Sequence, residues 1–126
     1  MKIKIKLTEV YKFFKHSINI KPLSVNQCWQ GRRFKTKIYE KYEKQVLELL
    51  KTYKIKLEKT KKYGINITFY ISNKLSDVDN FVKPFLDILQ KKYNFNDKQI
   101  FELNLKKVII PKKETEKIEF QFFEIS

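Results

Sequence analysis

Only four aspartates occur in the chain, Asp77, Asp79, Asp87 and Asp97, and they crowd into one short window while the ten glutamates are scattered. Asp77 and Asp79 are two apart, so in extended backbone both carboxylates point to the same side. Asp79, Lys83 and Asp87 follow at four-residue steps and stack on one face if the segment is helical. A break at Tyr93-Asn94-Phe95-Asn96 lets the chain turn back at Asp97, which would let three carboxylates converge with one lysine. Carboxylates without His or Cys suit a hard, oxygen-seeking cation, and Mg²⁺ takes one or two of them and keeps several waters. Such an ion activates water and stabilises charge on a phosphodiester. A neighbouring ammonium neutralises developing negative charge. The plainer alternative makes Asp77 and Asp79 turn and helix-cap residues and Lys83–Asp87 a surface pair. It accounts for Asp79 taken singly and leaves Asp77, Lys83 and Asp97 together unexplained.

Other chemistries have few residues to work with. A single cysteine, Cys28, excludes an intrachain disulfide and a Cys-rich zinc site. A single histidine, His16, excludes two-histidine metal motifs and speaks against a nucleophile–histidine relay. Both read as structural. The balance of 28 basic to 14 acidic residues gives a net charge of +14 and points to an acidic partner, nucleic acid ahead of an anionic membrane. Part of that charge reflects a Lys-, Ile- and Asn-rich composition of the kind AT-rich coding DNA produces. The two arginines are therefore more informative than any lysine. They stand together as Arg32 and Arg33, beside Gly31 and ahead of Lys35, Lys37 and Lys41, where phosphate contacts are expected. No apolar run approaches the ~18 residues of a membrane span. The opening Met-Lys-Ile-Lys-Ile-Lys-Leu alternates and lacks the apolar core of a signal peptide. A reduced, cytoplasmic protein is the expectation.

The elements that must position these residues follow from periodicity. Ile3, Ile5 and Leu7 alternate as a half-buried strand, and Ile18 and Ile20 mark a second one closed by Pro22. Leu23 to Lys35 shows no period and reads as a loop, with Trp29 packed beneath it. Thr36 N-caps a helix to about Tyr53, with Ile38, Tyr42, Val46, Leu49, Leu50 and Tyr53 inward and Lys37, Lys41 and Lys44 outward. Tyr63 to Ser72 is the clearest strand. Asp79 to Lys92 is a second helix with Val82, Phe85, Leu86 and Leu89 inward and Pro84 early, where missing donors cost least. Phe101, Leu103 and Leu105 alternate, as do Ile118, Phe120 and Phe122. Tyr63, Phe69, Phe101 and Phe120 are expected in the core, and Phe13, Phe14 and Phe123 supply apolar surface for an interface. The length allows one domain, residues 1–126. The expected class is α+β, with one mixed sheet of about five strands and two helices packed on it.

Asp77-Val78-Asp79-Asn80-Phe81-Val82-Lys83-Pro84-Phe85-Leu86-Asp87 resembles the motif Asp-x-Asp-Asn-x-x-Lys-x-x-x-Asp of the RusA family of Holliday junction resolvases. That motif is followed by an acidic pair, a spacer and Gln. Here the second part reads Asn96-Asp97-Lys98-Gln99, with Asn96 replacing the first acid. Pro22-Leu23-Ser24-Val25-Asn26-Gln27-Cys28-Trp29 resembles the family's early Pro-Ser-x-Asn segment. The resemblance runs from about residue 18 to 110. It implies a homodimeric, Mg²⁺-dependent endonuclease, with Mn²⁺ substituting, that cuts four-way junction DNA by paired symmetric nicks in recombination and repair. It also implies 5′-phosphate and 3′-hydroxyl ends. Asp77, Asp79 and Asp97 match its metal-binding catalytic acids and Lys83 its catalytic lysine. Asp87 and Asn80 match supporting positions, with Asp87 orienting Lys83 or a metal-bound water. Some members carry a run of arginines before the first aspartate, where this chain offers only Lys74, so DNA contacts from that edge are either weaker or moved to Arg32, Arg33 and Lys35.

Two rival readings remain. One is a nuclease for other branched DNA or for RNA. The other is a basic, non-catalytic junction- or duplex-binding protein, against which the carboxylates argue because they repel phosphates.

Overall fold

Apolar alternation sets the sheet and three- to four-residue spacing sets the helices in the computed structural model, which describes residues 14–31 and 34–126. The alternating stretch at Ile3, Ile5 and Leu7, the aromatic Phe13, and the Arg32–Arg33 pair lie outside the described residues. The elements run β1 (His16–Ile18), β2 (Trp29–Gln30), β3 (Phe34–Lys35), α1 (Lys37–Leu49), β4 (Lys62–Ile71), α2 (Asp79–Tyr93), β5 (Ile100–Ile109) and β6 (Lys117–Ile125). Short 3-10 turns occupy Val25–Gln27, Leu50–Thr52 and Asp97–Gln99.

The main sheet has the order β1-β6-β4-β5. Strands β1 and β4 both pair antiparallel with β6, whereas β5 runs parallel to β4. The class is α+β with a mixed sheet and two helices, as expected; four of the expected strands form this sheet, and the one expected at Ile3, Ile5 and Leu7 lies outside the described residues. One face of it is apolar. Ile65, Ile67, Phe69 and Ile71 of β4 and Ile118, Phe120 and Phe122 of β6 bury there against the helices. Phe85 of α2 meets Phe120 edge-on with ring centroids 5.6 Å apart, and Phe81 lies 5.6 Å from Phe69. Such pairs add about 0.5–1.5 kcal/mol each beyond area burial. Gly64 is forced by packing, because the ring of Phe123 on β6 lies where a Cβ would project.

Four expectations need correction. The loop from Leu23 to Lys35 contains a 3-10 turn and a small hairpin, β2–β3, whose turn uses Gly31 at φ +67°. The two-residue strands are too short to show a period. Trp29 is 43% exposed, not packed beneath the loop, and its ring meets Tyr39 edge-on. Phe101 is 61% exposed, because it is the extra residue of a bulge between the Tyr63–Ile100 and Gly64–Glu102 pairs.

The buried stripe of α1 is also rotated from the expected one. Tyr39, Tyr42, Val46 and Leu50 are inside, while Ile38 and Leu49 are exposed. Both stripes share Tyr42, Val46 and Leu50, and the hairpin resting on Tyr39 selects between them. The Thr36 cap holds as expected, its hydroxyl accepting from the Tyr39 amide at 3.1 Å.

Candidate active site

Helix α2 turns the four-residue spacing into a row. Asp79, Lys83, Asp87 and Lys91 stand one above another along one face. The Lys83 ammonium donates to Asp87 Oδ1 at 2.8 Å. That hydrogen bond holds the Lys83 pKa above its ordinary value against a smaller desolvation, and the negative charges of Asp87 and Asp97 add to it. At the next step Lys91 pairs with Glu43 of α1 at 2.7 Å, and Glu43 also takes Lys35 of β3 at 2.9 Å. Burial pushes the Glu43 carboxyl up, but the hydrogen bonds from Lys91 and Lys35 outweigh it and hold the pKa below its ordinary value. One carboxylate thus ties hairpin, α1 and α2 together.

The segment Pro22–Trp29 packs beside this row. Ser24 caps its 3-10 turn by accepting from the Asn26 amide, and the turn rests on α2. Cys28 is buried, and its thiol donates to the Ser24 carbonyl at 3.4 Å. Burial first, then the nearby Asp87 charge, pushes its pKa up to about 11, so it stays a thiol and is a poor nucleophile. Tyr39 is pushed up to about 12 by the same two causes in the same order. His16 is buried between Tyr53 and Phe120, as a structural histidine would be.

The acids at the helix start do not act as side-chain caps. The N-cap of α2 is Val78, with no capping side chain. Asp77 precedes it in the loop and Asp79 is the first helical residue, where the helix dipole favours a negative charge. Asn80 is half-buried there, its amide donating to the Asp77 carbonyl at 3.2 Å. The loop is held from the sheet. Lys107 of β5 donates to the carbonyls of Ser76 at 2.8 Å and Lys74 at 3.2 Å.

Asp97 stands elsewhere. It opens the 3-10 turn just before β5, and a capping box fixes that turn. Asn96 accepts from the Lys98 amide, while the Gln99 side chain accepts from the Asn96 amide. The buried Gln99 then donates to the carbonyls of Glu58 at 2.8 Å and Lys61 at 3.0 Å. Asn96, where an acid stands in the family's motif, thus has a structural task as a cap.

The expected convergence of Asp77, Asp79 and Asp97 does not occur within one chain. Because β4 and β5 are parallel, Tyr63 lies opposite Ile100 and Ile71 opposite Ile109. Asp77 follows the end of β4, and Asp97 precedes the start of β5, so the two lie at opposite ends of the sheet. Helix α2, roughly 22 Å long at 1.5 Å per residue, runs between Asp79 and Asp97. Among the described residues no three His, Cys, Asp or Glu side chains are gathered to hold a metal. What one chain does offer is two exposed carboxylates, Asp77 and Asp79, at one sheet end. No hydrogen bond or ion pair engages the carboxylate of Asp77, Asp79 or Asp97 among the described residues. That donor set fits Mg²⁺, which takes one or two protein carboxylates and fills its shell with water and phosphate oxygens.

The basic residues expected to meet DNA are placed unevenly. Lys37 and Lys41 are exposed on the outer face of α1. They line a groove of about 480 Å³ with Lys35 and Lys44. Lys35 is engaged with Glu43 and sits over the Tyr39 ring at 5.2 Å. Lys74 is exposed in the loop before Asp77. Two positioning residues escape the sequence reading. Gln99 had a readable signal in the Asn-x-x-Gln capping pattern, whereas Lys107 is one lysine among many.

Comparison with known proteins gives one family. The family described as endodeoxyribonuclease RusA matches residues 23–119. No curated protein matches the chain.

Proposed function

The chain belongs to the endodeoxyribonuclease RusA family, and on that premise we propose that it is a Mg²⁺-dependent endonuclease resolving four-way DNA junctions by paired symmetric nicks. The observation that carries this reading is electrostatic. In a chain of net charge +14, Asp77, Asp79 and Asp97 are exposed, and among the described residues no hydrogen bond or ion pair engages their carboxylates. Carboxylates left facing solvent on a basic surface attract a cation and repel bare phosphate. A divalent ion resolves that conflict.

Asp77 and Asp79 would hold the ion. When bound, Mg²⁺ supplies a water of lowered pKa and compensates charge on the scissile phosphodiester. Within its own chain Asp97 is not gathered with Asp77 and Asp79 into one ligand set. A homodimer removes the difficulty, with Asp97 of one copy completing the site of the other. Two such sites related by a two-fold axis suit a two-fold junction and paired cuts.

The remaining roles belong to the chain's own residues. Asp87 holds the Lys83 ammonium charged and directed, so a fixed positive charge stands one helical turn from Asp79 to meet the phosphorane. Lys107 holds the backbone before Asp77. Lys37, Lys41 and Lys74, with Arg32 and Arg33, would neutralise phosphates flanking the cut. Exposed Trp29 and Phe34 on the hairpin offer apolar rings to bases unstacked at the junction centre.

The test uses a synthetic four-way junction with each strand labelled in turn, beside a linear duplex and a flap. Paired nicks confined to the junction, dependent on Mg²⁺ and lost in Asp79→Asn, are expected. Equal cutting of flaps would favour a general branched-DNA nuclease. Tight binding without cleavage in Mg²⁺ or Mn²⁺ would leave a non-catalytic junction-binding protein.

A further inference from the structure

The outer edge of β5 has no strand partner among the described residues, although the strand spans ten residues. Native sheets blunt such an edge with charged side chains, proline, bulges or a cover, and of these β5 carries Lys106, Lys107 and one bulge. Here Phe101, Leu103 and Ile109 are all more than a third exposed, and the lone irregularity is the bulge at Phe101. The edge is complementary to itself. Read antiparallel about Asn104, Glu102 falls opposite Lys106 and Leu103 opposite Leu105.

We propose that β5 of a second copy docks antiparallel on this edge, with the two-fold axis at Asn104, joining both sheets into one. The proposal rests on the homodimer reading above and names the surface that makes it. In this register each Glu102 meets a Lys106 of the other copy, twice per dimer. Each Leu103 packs on a Leu105 across the seam. Asn104 already donates to Asn66 at 2.8 Å and to Glu102 at 2.9 Å, so the seam extends an existing polar ladder. A shift of one pair either way sets Asn104 against Glu102 or against Lys106, and both charges lose their partners.

The register also has a consequence for the site. Strand β5 enters from the Asp97 end and leaves at the Asp77 end, so an antiparallel mate reverses that order. Asp97 of the second copy then falls level with Pro111, beyond the end of β5. That end carries Asp77 and Asp79. The lateral offset from β4 is two strand spacings, roughly 10 Å.

The test is cross-linking combined with charge exchange, read in the whole chain. Paired antiparallel Cα atoms lie about 4.5–5.5 Å apart, within the range a disulfide needs. Under mild oxidation Asn104→Cys should form a covalent dimer. Glu102→Cys, whose own mate lies several residues away, should not. Buried Cys28 does not compete. Glu102→Lys and Lys106→Glu should each weaken the dimer about tenfold in sedimentation, and the double exchange should restore it. A dimer that survives both reversals and does not cross-link at position 104 overturns the β5 interface and leaves the homodimer standing. A chain that sediments as a monomer at every concentration overturns both.

Discussion

Replacing Gln99 by alanine isolates the anchor that holds the Asp97 turn. The Gln99 side chain is buried and makes three hydrogen bonds, to the Glu58 carbonyl, the Lys61 carbonyl and the Asn96 amide. Each is worth roughly 1 kcal/mol net, and an unsatisfied buried partner costs about 1–3 kcal/mol. Water reaches the exposed side of Asn96, so that amide is re-solvated at little cost. The two carbonyls are part-buried and lose their donor outright. The expected loss is about 3 kcal/mol, equivalent to a fall in Tm of roughly 10 °C for a domain of this size. Urea denaturation followed by circular dichroism measures it. Gln99→Glu should be at least as damaging, since a carboxylate would face two carbonyl oxygens. A loss below about 0.5 kcal/mol for Gln99→Ala would show that the turn is held by something else. The positioning role assigned to Gln99 would then fail.

Four further outcomes follow from the same structure. Glu43→Gln should destabilise at neutral pH, because the folded Glu43 pKa lies below 4.5; its contribution is present above that value and lost as pH falls. The stability difference between wild type and variant should therefore shrink as pH falls below the ordinary carboxylate value and through the lower folded pKa of Glu43, as acid unfolding measures. Asp87→Asn should change stability by less than about 0.5 kcal/mol, since the Lys83–Asp87 pair is an exposed i,i+4 contact, yet lower junction cleavage at saturating DNA with little change in binding. Gly64→Ala should cost about 1–3 kcal/mol by thermal melting, because the Phe123 ring must move. Junction affinity should fall steeply between 50 and 200 mM salt, and Lys37→Ala with Lys41→Ala should flatten that slope by roughly one to two units.

How far the sequence carried depended on the range of the forces involved. Strand β4 was legible because each residue alternates between a buried and an open face. Helix α2 was legible because its apolar stripe and its Asp79-Lys83-Asp87 row repeat at one spacing. Those signals are local. Strand β5 was found, but its parallel pairing to β4 was not, since alternation carries no direction. That one missing fact separates Asp97 from Asp77 and Asp79, and it corrects the expected three-acid cluster. The hairpin β2–β3 and the rotated stripe of α1 were hidden for a related reason. Trp29 against Tyr39 is a tertiary contact that chooses between two nearly equal apolar faces. Lys107 was invisible because its role is set by two backbone carbonyls distant in sequence. The task of Asn96 was readable as a cap and was obscured only by comparison with an acid.

The most direct measurement of the central claim mixes two inactive variants. Asp79→Asn and Asp97→Asn, each alone, should leave the junction uncut in Mg²⁺. A mixed dimer contains one site in which Asp77 and Asp79 come from the Asp97→Asn subunit and Asp97 from the Asp79→Asn subunit. That site is intact. Mixing the two after subunit exchange should therefore restore nicking, with a single cut per binding event instead of a pair. If mixing restores nothing while each variant still dimerises and binds the junction, the acids do not combine across the two-fold axis, and the proposed site is wrong.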